Sequence, residues 1–239
     1  MSFHRLSPFA VLSKMSFLQN IASIFISRIN PAIIHNIEKY FAIKKIVYLN
    51  STEQQEGDYL EFGVFTGSSF CHTIRCLKDC EVYNPDQNKS RCFGFDSFDG
   101  FGDLADGDKH PFYLDQNFQT EFKTVKRRVD KTIGNWSQAT LIKGFFDKTL
   151  DVDPTEYGIR KARIVFVDSD TYSSSKAAFN FIKNIVQPGT HIILDDFFSY
   201  KGNPSKGVAC AFNEFIEQSS LNYRKILDYG VGGIAVVLY

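Results

Sequence analysis

Five short apolar runs, each ending in an acid or a glycine turn and followed by a helical pattern or loop, constrain this chain more than any other feature. The runs are residues 59–64, 91–95, 139–143, 163–167 and 191–194. Helical patterns between and after them cover residues 68–77, 117–133, 174–185 and 205–218. Strands that alternate with helices imply right-handed crossovers and a mostly parallel sheet with helices on both faces, a Rossmann-like α/β architecture. The last stretch differs. YRKILDY and GIAVVLY flank GVGG, which predicts a closing hairpin with one strand antiparallel to the rest. Residues 1–50 carry helical periodicity broken at Asn30-Pro31. The expected organisation is an N-terminal helical extension, residues 1–50, serving as a dimer contact or lid, and one α/β domain over residues 51–239.

Charge and cysteine usage narrow the function classes. Lys plus Arg and Asp plus Glu number 27 each, so no basic excess points to nucleic acid. The apolar run near residues 17–26 is interrupted by Gln19, Asn20 and Ser23, too short and too polar for a membrane span. It also lacks the pattern of a signal peptide. The five cysteines form no C-x-x-C pair, and the expectation is reduced thiols in a cytoplasmic protein.

In open α/β sheets, ligands bind beyond the carboxyl ends of the strands. There the sequence places Glu61, Gly63 and Gly67, then Asp96 and Ser97, then Gly144 with Phe145 and Phe146. Asp168 and Asp170 follow the fourth strand, and Asp195 and Asp196 the fifth. A single strand-end Asp is more often a cap or turn residue. Five such ends on one edge, in order, point to a site. The first turn reads E-x-G-x-x-x-G rather than the G-x-G-x-x-G that cradles a pyrophosphate. An acid there suits a cationic ligand, and a carboxylate after the second strand suits a ribose diol. S-adenosylmethionine carries both features. The candidate cofactor-binding set is Glu61, Gly63, Thr66, Gly67, Ser69, Asp96, Ser97, Phe146 and Asp168, with Phe98, Phe145 or Phe146 stacking on adenine.

The stretches GDYLEFGVFTGSSF, CFGFDSFDGF, LIKGFFDKTL, IVFVDSDTYSSSKAAF and PGTHIILDDF resemble successive motifs of the macrocin O-methyltransferase family, from about residue 57 onward. The chain departs from that pattern at Phe65-Thr66, where the family has Trp-Arg, at Ser169, and at Gly100-Phe101-Gly102. The resemblance implies a class I, seven-stranded methyltransferase using S-adenosylmethionine and Mg2+ on a sugar hydroxyl of a natural product or glycan. It implies metal ligation by Asp168, Asp195 and Asp196, with Asp170 as general base. Spacing alone leaves open which of Asp168 and Asp170 is ligand and which is base. The chemistry agrees, since carboxylates holding a hard cation can bind a hydroxyl, lower its pKa and orient it.

Two other readings exist. Tyr172 and Lys176 have the spacing of an NAD-linked oxidoreductase pair, and a non-catalytic scaffold could keep the fold. Three further features call for placement. Lys123, Lys126, Arg127, Arg128 and Lys131 form either a solvated helix face or a contact for a phosphorylated acceptor. His110 is either an exposed loop residue or an acid–base group, and Tyr172 is a candidate for the acceptor site.

Overall fold

The computed structural model describes residues 14–83, 90–113 and 117–239. Two helices come first, α1 (Ser16–Ser27) and α2 (Pro31–Thr52). They are separated at Asn30, whose side chain accepts the Ala32 N–H, with Pro31 opening the next helix. The seven strands are β1 (Asp58–Phe62), β2 (Cys92–Asp96), β3 (Ala139–Lys143), β4 (Ala162–Val167), β5 (His191–Leu194), β6 (Tyr223–Tyr229) and β7 (Gly233–Leu238). They form one sheet in the order β3-β2-β1-β4-β5-β7-β6. The pairs among β1 to β5 are parallel, and β7 runs antiparallel to both β5 and β6. The expected Rossmann-like sheet and closing hairpin are therefore present.

The remaining helices are α3 (Ser68–Cys80), α4 (Phe122–Ile133), the single turn α5 (Phe146–Thr149), α6 (Tyr172–Ile182) and α7 (Gly207–Gln218). The helix expected from residue 117 begins at Phe122, because Gln119 bridges to Asp99 and Glu121 lies extended just before the helix. α6 starts two residues earlier than expected, where the Thr171 hydroxyl accepts the Ser174 N–H.

Side-chain alternation along each strand divides the core in two. Leu60, Phe62, Val165, Val167, Ile192 and Leu194 face α6 and α7, against Phe179, Ile182, Phe212 and Phe215. Tyr59, Val64, Ile164, Phe166 and Ile193 face the other way, against Ile43, Ile46 and Val47 of α2 and Phe70 and Ile74 of α3. Near-continuous apolar strands are what burial on both faces requires.

α2 runs unbroken through residue 50 to Thr52, so its last turns belong to this core. Its Asn50 amide donates to the Arg163 carbonyl and accepts from the Arg163 side chain. α1 buries none of its residues and exposes Phe17, Ile21, Ile24 and Phe25. Among the described residues no single helix is long and apolar enough to cross a membrane. The pair α1 and α2, bent by 90°, meets the length and composition only jointly.

Candidate active site

The strand order reverses between β1 and β4, and the sheet opens there at its carboxyl edge. Register brings the chemistry together. Phe62 pairs with Val167, and Val167 with Leu194. One residue further along, Gly63, Asp168 and Asp195 therefore emerge side by side. The Asp168 N–H donates to the Phe62 carbonyl at 2.8 Å, and the Asp195 N–H to the Val167 carbonyl at 3.1 Å. Gly63 has φ 94°, and a Cβ there would lie 1.8 Å from the Asp168 carbonyl oxygen. Only glycine fits where the two strands meet.

A cleft of about 590 Å³ occupies this edge, within the size range of small-molecule sites. Gly63, Asp96, Ser97, Phe146, Asp168, Asp170, Asp195 and Asp196 all line it, as the sequence led one to expect. Asp96 also pins the glycine loop. One of its oxygens accepts the Val64 and Phe65 N–H groups at 2.7 Å each, and the other accepts the Phe98 N–H at 2.6 Å. Burial pushes its carboxyl up, and these amides oppose the shift. Two carboxylate oxygens offer about four acceptor positions, so one remains for a ligand hydroxyl.

Several expected residues lie elsewhere. Glu61 is not on the cleft wall. It sits inside β1 with no exposed surface, accepts the Ser69 hydroxyl at 2.6 Å and is also bonded by the Tyr59 hydroxyl. A direct contact from Glu61 to a cationic ligand is therefore not available in this arrangement, and Ser69 is turned inward with it. The reason is the pleat. Tyr59 and Glu61 alternate with Leu60 and Phe62, which puts Glu61 on the α3 side. Thr66 is half-buried outside the cleft lining, and its carbonyl accepts from Arg128 at 3.0 Å. Gly67 has φ 75° and begins α3, shaping the loop rather than lining the cleft. Phe98 is buried against Phe122, which removes it as an adenine-stacking residue, whereas Phe145 and Phe146 do line the cleft. His110 packs on Tyr113 and Tyr200 outside the lining. The basic run lies on the exposed face of α4, where Lys126 pairs with Asp130.

Burial raises the Glu61 carboxyl from its ordinary 4.5 to about 8, against its hydroxyl partners. The folded form thus holds a proton that the unfolded chain releases above about pH 4.5. This contribution is fully present below that pH and is lost as pH rises toward 8, by up to about 4 kcal/mol. Glu61→Gln is expected to flatten this dependence in urea melts at pH 5.5 and 8.5. Parallel pH dependences in the two proteins would contradict the assignment.

At the cluster, Asp168, Asp195 and Asp196 each place one carboxylate oxygen within 4.8 Å of the others. Burial, with the negative charges of the neighbouring aspartates, pushes the Asp168 and Asp170 carboxyls well above the usual range. Asp196 is raised by burial and by Asp195, and it shares a hydrogen bond with Asp170. Asp195 behaves oppositely. Burial would raise it, but the Lys39 ammonium at 2.6 Å and the His35 imidazole at 3.2 Å hold it below the ordinary value. Tyr229 donates to its other oxygen at 2.8 Å. Lys39 also reaches Asp168, at 3.0 Å. These residues were missed by the sequence reading. His35 and Lys39 sit on α2, one turn apart, in the segment without site motifs. Asp170 has φ 60°, the left-handed region in which Asp is tolerated and which recurs at functional sites.

Residues 60–197 match the model of a family described as a methyltransferase domain. The chain belongs to this methyltransferase family. No curated protein matches it by sequence. Among solved structures, the O-methyltransferase NovP is similar at 19% identity, with 84% of this chain and 79% of that one covered and a TM-score of 0.68. The calicheamicin methyltransferase CalS11 is similar at 18% identity over 98% and 94% of the two chains, TM-score 0.66. An O-methyltransferase from Bacillus cereus, in complex with S-adenosylhomocysteine, is similar at 15% identity over 94% and 91%, TM-score 0.53. At these identities the likeness is one of fold, and it is the class I methyltransferase fold.

Three carboxylate oxygens in mutual reach are the hard donor set that Mg2+ takes, so the residues fit such an ion. The oxidoreductase pair does not fit its alternative role. Lys176 donates to the Tyr172 hydroxyl at 2.6 Å, both engage Glu214, and neither lines the cleft. Tyr172 is thereby removed from the acceptor site as well.

Proposed function

We propose that this methyltransferase transfers the methyl group of S-adenosylmethionine to a sugar hydroxyl of a natural product or glycan. Mg2+ would be held by Asp168, Asp195 and Asp196, and Asp170 would act as general base. The observation that carries the reading is the carboxylate cluster in register at the switch-point cleft. Support for the acceptor class comes from a structure described as a TDP-rhamnose 3'-O-methyltransferase of calicheamicin biosynthesis, similar at 14% identity with a TM-score of 0.60. Phe101, Phe112 and Phe118 line the cleft beside the acids and suit the apolar face of a sugar or its aglycone.

Each residue then has a task. Gly63 and the loop pinned by Asp96 admit the cofactor closely, Asp96 takes the ribose, and Phe145 or Phe146 covers the adenine. A bound Mg2+ would supply Lewis acidity toward the acceptor hydroxyl. Bound S-adenosylmethionine would supply the methyl group to the acceptor oxygen, and Asp170 would take the proton that this oxygen gives up. A methyl ether and S-adenosylhomocysteine result. Burial and the neighbouring aspartates raise the Asp170 carboxyl above its ordinary range, which makes its carboxylate the stronger proton acceptor. Residues 1–50 would cover the acceptor or join two copies through the exposed face of α1. The test is transfer of label from methyl-labelled S-adenosylmethionine to a panel of nucleotide-linked and glycosidic sugars, with and without chelator. Label on a sugar oxygen, lost on chelation and restored by Mg2+, is expected. Transfer unaffected by chelator would overturn the metal role, and transfer only to non-sugar acceptors the substrate class.

A further inference from the structure

Four aspartates, Asp168, Asp170, Asp195 and Asp196, crowd the part of the cleft beyond β4 and β5, yet a cation is already built in among them. The Lys39 side chain is nine-tenths buried, and its ammonium lies 2.6 Å from Asp195 Oδ2 and 3.0 Å from Asp168 Oδ2. Its position is fixed from several sides. It rests over the Phe166 ring at 5.6 Å, and His35, one turn earlier on α2, touches the same Asp195 oxygen. α2 is itself anchored in the core at Ile43, Ile46 and Val47. Lys39 is therefore bridging two of the three carboxylates assigned to the metal.

Mg2+ sits about 2.0–2.1 Å from its oxygen ligands. An ammonium held by the same two oxygens would lie within a few ångströms of it, at a large Coulombic cost in a buried site. The two cations cannot share those oxygens. We propose that Lys39 is the resident cation of the cluster and competes with the divalent ion for Asp168 and Asp195, so that metal entry displaces the lysine from its bridge. This inference rests on the metal reading given above. Lys39 neutralises the acids while the site lacks metal, and its release links metal occupancy to α2, which lines the mouth of the cleft through Pro31, Ala32 and His35.

The experiment is Mn2+ titration followed by electron paramagnetic resonance, on the full chain without cofactor. Wild type, Lys39→Gln and Lys39→Arg are compared. Lys39→Gln is expected to bind Mn2+ at least about tenfold more tightly, and Lys39→Arg, which keeps the charge, to stay close to wild type. If Lys39→Gln does not fold alone, Mn2+ present during refolding is expected to recover it, and failure to recover contradicts the proposal. Mn2+ bound equally by wild type and Lys39→Gln overturns the competition while leaving the metal site standing. No Mn2+ bound by any of the three overturns the metal reading, and the competition with it.

Discussion

Asp170→Asn is expected to lower turnover by about 10²–10⁴-fold, the usual contribution of a positioned general base. Affinity for S-adenosylhomocysteine should barely change, because the residues assigned to the ribose and adenine, Asp96 with Phe145 or Phe146, lie at the ends of β2 and β3, whereas the acceptor proton is handled beyond the end of β4. The substitution preserves volume and removes only the ability to take a proton. It also relieves like-charge crowding against Asp168 and Asp196, so folding should not suffer. Single-turnover rates with saturating cofactor, set beside calorimetric binding, separate the two effects. Wild-type turnover in this variant would remove Asp170 as the base. Lost turnover together with lost cofactor binding would instead mean that Asp170 shapes the cleft.

Gly63→Ala is the second large effect expected, and it acts on the fold. The added carbon would overlap the Asp168 carbonyl at 1.8 Å, and its nearest neighbours are backbone atoms of Asp168 and Ser169, with no side chain to yield. Gly63 donates to the Phe95 carbonyl at 2.9 Å while Asp168 donates to Phe62, so neither strand can slide. Overpacking together with a positive φ of 94° costs at least about 3 kcal/mol. That is a large part of the stability of a typical domain. Gly107→Ala, at a glycine with nothing within 4 Å of the added carbon, serves as the control and should change little. Urea midpoints report both. An unchanged midpoint for Gly63→Ala would contradict the close approach of β1 and β4.

Much of this arrangement is legible in the sequence, for definite reasons. Buried parallel strands read as apolar runs, so all five sheet strands before the hairpin lie where the residues predict, with ends shifted by at most two positions. The aspartates are legible because strand-end acids on one sheet edge converge once the strands are parallel and in register. Glu61 misleads because it is the pleat, rather than position along the strand, that decides between cleft and core. Its neighbours Tyr59 and Ser69 take both of its oxygens. Phe98 misleads likewise, since the turn after β2, with φ 57°, carries its ring back into the core. Lys39 and His35 are invisible for a different reason. Helical periodicity shows that a face exists but not where it docks, and their role arises only when α2 lies across the ends of β4 and β5. The phenylalanines at 112 and 118 carry no motif, and Phe101 stands at the end of one, where the chain departs from the family's pattern. They join the cleft through the long connection after β2, whose length alone does not fix its path.

The most direct test of the central claim is calorimetric titration of S-adenosylhomocysteine into the folded protein, with and without Mg2+. Binding at one site per chain, weakened by Asp96→Ala and retained in Asp196→Asn, is the predicted result. No binding to well-folded protein, or binding indifferent to Asp96, would contradict a cofactor seated at the carboxyl edge of β1 and β2.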